Sequence, residues 1–245
     1  MEGDETSLDI AIYRACFSEW TVIPRGSCEN VIHSVVTMRH NQELTRVTCS
    51  GMVDADDYQP EDIRRLNALG ISVLPVSEIE NVILLPSVSI EIARTEGFEG
   101  QELENQLASL KASVFSSLNS QRAINDVVVR YCRRRIDRSM KKLDLSAAAD
   151  MVALSAEYEN QTSALDILGI GSAMEARLQE AIQENDLPKL LANYDNKGLM
   201  ALAASHLKRT KLDAFESWLL RMLRNAKAPD LVAAIQAALP AVSAR

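Results

Sequence analysis

The sequence predicts an α/β fold: a parallel sheet flanked by helices over residues 1–95, followed by a mostly helical region over residues 96–245. Three observations carry that expectation. Short apolar runs alternate with helix-period segments as far as residue 90, the pattern of parallel βαβ units. Beyond residue 97 the apolar spacing turns almost purely helical. The charge shifts at the same place: residues 1–100 hold 7 basic and 17 acidic side chains, a net of −10, whereas residues 101–245 hold 19 basic and 17 acidic, a net of +2.

The elements follow in order. Thr6 or Ser7 caps a first helix whose apolar face is Leu8, Ile10, Ala11, Ile12, Ala15 and Cys16. Trp20 to Pro24 reads as a short strand stopped by its proline. Ser27 caps a second helix that buries Val31, Ile32, Val35, Val36 and Met38. Arg46 to Val53 is an apolar run of buried-strand character. Pro60, Glu61 and Asp62 open a third helix, with Gly70 as its natural stop. Ile71 to Pro75 is another buried strand, and residues 76–86 mix acids with a strongly apolar run.

A break at Gly97 to Gly100 introduces the second region. Helical patterns cover roughly 101–118, 123–143, 146–159, 172–184, 198–208, 211–225 and 229–238. Ser146, a turn at Gly169-Ile170-Gly171, Pro188, Gly198 and Pro229 divide them. Leu199, Leu202, Trp218, Leu219 and Met222 read as core. There is no internal repeat and no low-complexity segment.

Composition narrows the function classes. Of 245 residues, 47% are hydrophobic and 24% charged, which is ordinary for a soluble globular chain. No apolar stretch approaches the ~20 residues that span a bilayer, and no signal peptide opens the chain, so a cytoplasmic protein with no membrane partner is expected. Cys16, Cys28, Cys49 and Cys132 are scattered, without Cys-x-x-Cys or ligand-spaced histidines, and read as free thiols rather than a zinc site. His33 and His40 fall on or just after a helix and suggest no catalytic role. The acidic first part disfavours nucleic acid on that face unless metal ions neutralise it.

The chemistry concentrates where the apolar run ending at Val53 feeds into Asp54-Ala55-Asp56-Asp57. In open α/β sheets, chemistry sits at the carboxyl ends of strands. Two aspartates at i, i+2 there cannot both ionise cheaply without a cation, and a hard divalent metal is the simplest partner. The competing reading is a polar loop in which Asp54 or Asp57 caps the helix at Pro60. Glu2 bears on the choice. A glutamate after one strand and Asp-x-Asp after a later strand of the same sheet converge in space. Only Met1 precedes Glu2, so the strand it should terminate is missing: the expectation is a fragment of a longer protein or a misplaced start.

Glu2-Gly3-Asp4 followed by Val53-Asp54-Ala55-Asp56-Asp57 resembles the Toprim domain of topoisomerases, primases and OLD-type nucleases, with helix, strand and helix between them in the expected order. The stretch Leu74-Pro75-Val76-Ser77-Glu78-Ile79-Glu80-Asn81 is similar to one in Toprim proteins that accompany or are fused to AAA or ABC-type ATPases in bacterial anti-phage defence. The resemblance covers residues 1–90 and extends loosely beyond. It implies that Glu2 serves as general acid/base or metal ligand. It further implies that Asp54 and Asp56 bind Mg²⁺ (with Mn²⁺ as a substitute), that Asp57 stands behind them, and that Glu80 or Glu78 completes a second metal site. OLD-type nucleases also draw a lysine from the helical region. Lys197, in Asp195-Asn196-Lys197-Gly198-Leu199, is the candidate beside the alternative of an exposed loop lysine.

One basic run stands out, Arg130 to Lys142. Arg130, Arg134, Arg138 and Lys141 share a helix face that could track phosphates, or could simply be a solvated face pairing with acidic surface. Tyr131 is its only aromatic, so base stacking is not indicated.

The expectation is therefore a Mg²⁺-dependent Toprim nuclease cutting DNA or RNA, an effector of anti-phage defence. A partner ATPase, in trans or fused, would control it, because the chain has no Walker motif. A homodimer follows only by analogy. The alternative is a catalytically inactive Toprim-fold module that binds or regulates the ATPase. Primase or topoisomerase fares worse, with no zinc-ribbon cysteines and no catalytic tyrosine in a recognisable context.

Overall fold

The computed structural model describes residues 1–3, 5, 7–55, 58–163 and 165–242. Asp56 and Asp57 lie outside the described residues. The chain divides into two compact units: residues 1–116 together with 186–245, and residues 117–185. That division falls elsewhere than the expected boundary at residue 95, because the last four helices close the core of the first unit.

In the first unit, α1 (Leu8–Cys16) is capped by Ser7, whose Oγ accepts from the Ile10 N–H at 3.4 Å. It buries Ile10, Ile12, Tyr13 and Cys16 almost completely. α2 (Cys28–His40) is capped by Ser27, as its spacing predicts, and α3 (Gln42–Thr45) is a single turn after it. β1 (Gly51–Val53) and β2 (Ile71–Val73) pair in parallel with Gly51 opposite Ile71 and Val53 opposite Val73. α4 (Pro60–Ala68) is the crossover between them and packs on β2. One βαβ unit is thus present among the described residues, in a protein that is otherwise mostly helical.

The expected sheet is larger than the observed one. Trp20 to Pro24 forms no strand, the run 46–53 is a strand only at Gly51–Val53, and Ile71 to Pro75 only at Ile71–Val73. Strand character depends on cross-strand partners more than on composition. Residues 20–24 have β-branched side chains, but no strand among the described residues pairs with them. Where β1 does form, Val31, Val35, Val53, Tyr58, Leu66 and Ile71 build the core around it. Gly51 permits the close approach of α2: a Cβ there would lie 2.8 Å from Val35 Cγ2 and 3.0 Å from Val31 Cγ1.

A 3₁₀ helix, Ile79–Leu84, takes up the apolar run after β2 and is buried along its length at Ile79, Val82, Ile83 and Leu84. α5 (Pro86–Thr95) and α6 (Gly100–Ser116) complete the amino-terminal segment. The second unit holds α7 (Gln121–Lys141), α8 (Met151–Ser163) and α9 (Ile167–Gln183). There Ile124, Val127 and Tyr131 of α7 and Met174, Leu178 and Ala181 of α9 are buried where the two helices pack. Gly169 and Gly171 do not break α9. Asp166 caps it by accepting from the Gly169 N–H at 2.9 Å, and Gly171 faces α7, where a Cβ would stand in ordinary van der Waals contact, 3.5 Å from Val128 Cγ1 and 3.6 Å from Cys132 Sγ.

The chain then returns to the first unit with α10 (Leu187–Leu191), α11 (Leu199–Lys208), α12 (Leu212–Arg224) and α13 (Pro229–Ala238). α12 and α13 pack on α1, and α11 on α6 and the 3₁₀ helix. Leu199, Trp218 and Leu219 are core residues, as expected, and Leu202 and Met222 are half-buried. No helix among the described residues is long and apolar enough to cross a membrane.

A buried polar clamp ties the two sequence-distant parts of this unit. Ser77 N–H donates to Leu191 O at 2.9 Å and Ser77 Oγ to Tyr194 O at 2.8 Å. Asn81 Nδ2 donates to Ser77 Oγ at 3.1 Å and to Tyr194 O at 3.2 Å. Ser77 and Asn81 are 2% and 0% exposed, so these bonds stand in for water that cannot reach them. Asn81→Ala removes both amide donations and is expected to lower the free energy of unfolding by about 2 kcal/mol, measured by urea denaturation. An unchanged midpoint would mean the clamp does not hold the segment.

Candidate functional site

Glu2 is placed by turn-level contacts. Arg25 N–H donates to Met1 O at 2.9 Å, and Gly3 and Gly26 form an antiparallel bridge with N···O distances of 3.3 and 3.1 Å. Gly3 has φ +89°, and a Cβ on it would fall 2.8 Å from both Asp9 Oδ2 and Ser7 Oγ. Only glycine therefore lets the amino-terminal segment lie against the first turn of α1.

Asp54 follows β1 directly, and its backbone N–H donates to Glu2 Oε1 at 3.0 Å. Residues 52 apart thus meet at the carboxyl end of the strand. The helix-capping alternative for Asp54 does not hold. The N-cap of α4 is Gln59, whose N–H donates to Asp62 Oδ2 at 3.2 Å.

Glu78 and Glu80 flank the start of the 3₁₀ helix, with side chains 19% and 16% exposed. Lys197 reaches both. Its Nζ lies 3.2 Å from Glu80 Oε1 and 3.7 Å from Glu78 Oε2. The Ser77–Asn81–Tyr194 clamp explains the meeting, because it fixes the glutamate segment against the loop that carries Lys197. The turn around Lys197 has its own local bond, Gly198 N–H to Asn196 Oδ1 at 2.9 Å.

Asp9 and Tyr13 join the two groups. Burial, reinforced by the Glu80 charge and opposed by Lys197, pushes the Asp9 carboxyl up to about 6. Burial also pushes the Tyr13 phenol well above its usual range, and the charges of Asp54, Asp9, Glu2 and Glu80 add to that in turn. Burial works against the Lys197 ammonium, yet Glu80 and then Glu78 hold it above its ordinary value. One phenol therefore feels four carboxylates drawn from the amino terminus, α1, the end of β1 and the 3₁₀ helix.

Sequence reasoning missed Asp9 and Tyr13. Asp9 sits on the polar face of an amphipathic helix, and Tyr13 one turn later reads as core. The missed signal is their i, i+4 spacing immediately after the Glu2 segment, which turns both toward the head of the sheet. Among the described residues no group of three or more His, Cys, Asp or Glu side chains is arranged to hold a metal ion.

The basic stripe belongs to the other unit. Arg130, Arg134 and Arg138 are half-buried on α7, Lys141 is exposed, and each interacts with other groups of the chain. The expected open phosphate track is thus partly folded into the helical unit. Beside it, Arg177 stacks over the Tyr131 ring at 5.4 Å and donates to its hydroxyl at 3.3 Å.

The Asp9 environment fixes a pH dependence. Its folded-state pKa lies above the ordinary carboxylate value of 3.8, so the folded protein binds more protons than the unfolded chain between about pH 4 and 6. Its contribution favours folding below that window and is lost as pH rises through it. Asp9→Asn is expected to raise the melting temperature at pH 7.5 by a few degrees in metal-free buffer, and to have little effect near pH 4. Equal shifts at both pH values would contradict the assignment.

No protein-family model, no curated protein and no solved structure matches this chain.

Proposed function

We propose that the head of the β1–β2 sheet is a metal-dependent phosphodiesterase site, of the kind its Toprim resemblance implies. The carrying observation is the Asp54 N–H to Glu2 Oε1 hydrogen bond, which brings together the two motifs of that resemblance from opposite ends of the first fifty residues. The donor set suits a hard divalent cation: oxygen ligands only, in a space where Asp9 is already forced toward protonation by burial and neighbouring charge. Asp54, with Asp56 from outside the described residues, would hold Mg²⁺. Bound Mg²⁺ would supply Lewis-acid polarisation of a phosphoryl oxygen.

The protein's own groups have separate tasks. Asp54 is fixed by the strand end, and Glu2, its oxygen oriented by the Asp54 N–H, is the residue to accept a proton from attacking water. Lys197 sets its ammonium against Glu80 and Glu78 and offsets part of their mutual repulsion. As the resemblance implies, the same ammonium is positioned to meet developing phosphate charge. Nucleic acid is the substrate class, and an ATPase in trans or fused is the proposed control element in anti-phage defence.

The Lys197 contact also favours the second reading, a regulatory module that binds an ATPase without catalysis. An internal cation already offsets part of the charge of Glu78 and Glu80, and such a pair has less need of a metal. Calorimetric titration with Mn²⁺ separates the two readings. Saturable binding below millimolar Mn²⁺, lost in Asp54→Ala, supports the nuclease, and no binding supports the module.

Two activity measurements complete the test. Mg²⁺-dependent nicking of plasmid DNA and cleavage of single-stranded RNA should each be assayed on the parent chain. In Glu2→Ala and Asp54→Ala the active assay is expected to fall by about 10²-fold or more, with the melting temperature retained. Undiminished cleavage in either variant would remove that residue from the site.

A further inference from the structure

The first unit carries a groove of about 560 Å³ between the segments 20–23 and 47–50 and α2, with Trp20, Val22, Val31, Val35, Met38 and Val47 among its lining. Its walls are apolar, but its rails are main chain. Neither bordering segment is a strand, and the backbone N–H and C=O groups of Thr21, Val22, Thr48 and Ser50 meet no hydrogen-bond partner among the described residues. For Ser50 the direction follows from the neighbouring ladder. Gly51 N–H donates to Gly70 O at 3.0 Å, on the β2 side, so the preceding Ser50 presents its own groups to the other side.

Unpaired main chain beside apolar walls specifies its occupant. A small molecule or a helix would satisfy the walls and leave the rails unpaired, since a helix uses its own backbone groups. An extended segment satisfies both, its amides pairing with the rails and its alternate side chains entering the apolar space. Met1 also lines the groove, its ammonium donating to Ile23 O at 3.2 Å.

We propose that this groove is a strand-acceptor site, which takes an extended, uncharged, β-branched segment of a partner polypeptide as an additional strand beside β1. The proposal is independent of metal chemistry at Glu2 and Asp54.

Calorimetric titration of the full chain with a capped peptide alternating valine and threonine tests it, with tryptophan fluorescence as a second readout. Trp20 lines the groove, whereas Trp218 is buried in the helical core. Saturable binding with a fluorescence change is expected, and none with a serine–glutamate peptide of the same length. Thr21→Pro and Thr48→Pro each delete an N–H that the chain itself does not use. Both should keep the parent circular dichroism spectrum while affinity for the peptide falls about tenfold. Failure of the valine–threonine peptide to bind the parent chain overturns the proposal, as does unaltered affinity in both proline variants. Stabilisation seen only when the strand is fused ahead of Met1 also overturns it, since the groove would then seat a segment of the same polypeptide. A dimer of the free protein that the peptide disperses would assign the groove to a second copy instead.

Discussion

Carboxylates packed into a partly desolvated space must be compensated, and the first unit is arranged around that requirement. Glu2, Asp9, Asp54 and Glu80 all act on the Tyr13 hydroxyl. Three of the four are relieved in different ways. Glu2 receives a backbone N–H from Asp54, Asp9 is pushed toward its neutral form, and Glu80 shares the Lys197 ammonium with Glu78. No one of these devices serves the whole group. A backbone donor is fixed in place, a proton depends on pH, and a largely exposed lysine can swing away.

The compensation depends on residues far apart in sequence. Lys197 stands 117 positions from Glu80, and it arrives because Ser77 and Asn81 grip the main chain at Leu191 and Tyr194. The same return of the chain packs α12 and α13 on α1, the helix that carries Asp9 and Tyr13. The carboxyl-terminal helices are therefore part of the site's foundation and not a separate cap. Loosening the 191–194 loop would move a cation as well as a packing surface.

What the sequence made legible follows from how local each signal is. Ser7, Ser27 and Pro229 mark helix starts through contacts within a turn, and those starts stand where expected. The acid-bearing end of β1 was legible because an apolar run stopped abruptly at Asp54. Residues 20–24 misled, since their composition favours a strand while strand formation needs a partner. The glycines at 169 and 171 misled for a different reason. Asp166 supplies the cap ahead of them, and Gly171 continues α9 along the face that meets α7. Lys197 is a candidate through resemblance alone, and its physical link, the buried Asn81 that follows Glu80, looks like any polar residue in the sequence. Asp9 was hidden by the ordinary expectation that helix faces alternate polar and apolar.

The two central residues of the proposed site differ in how firmly they are held, and that asymmetry has consequences. Asp54 extends a strand whose residues Met52 and Val53 are fully buried, so displacing it requires opening the core. Glu2 is held by main-chain bonds between Met1 to Gly3 and Arg25 to Gly26, at half-buried or exposed positions. Such contacts open at far lower cost than a core strand does. The segment that holds Glu2 runs directly on from Thr21 to Ile23, where main-chain groups stand unpaired at the apolar groove. A strand pairing there would stiffen the backbone that positions Glu2 without touching Asp54. In a site that needs both carboxylates, the more loosely held one is where control is most cheaply exerted, and here it adjoins the surface built to receive another strand.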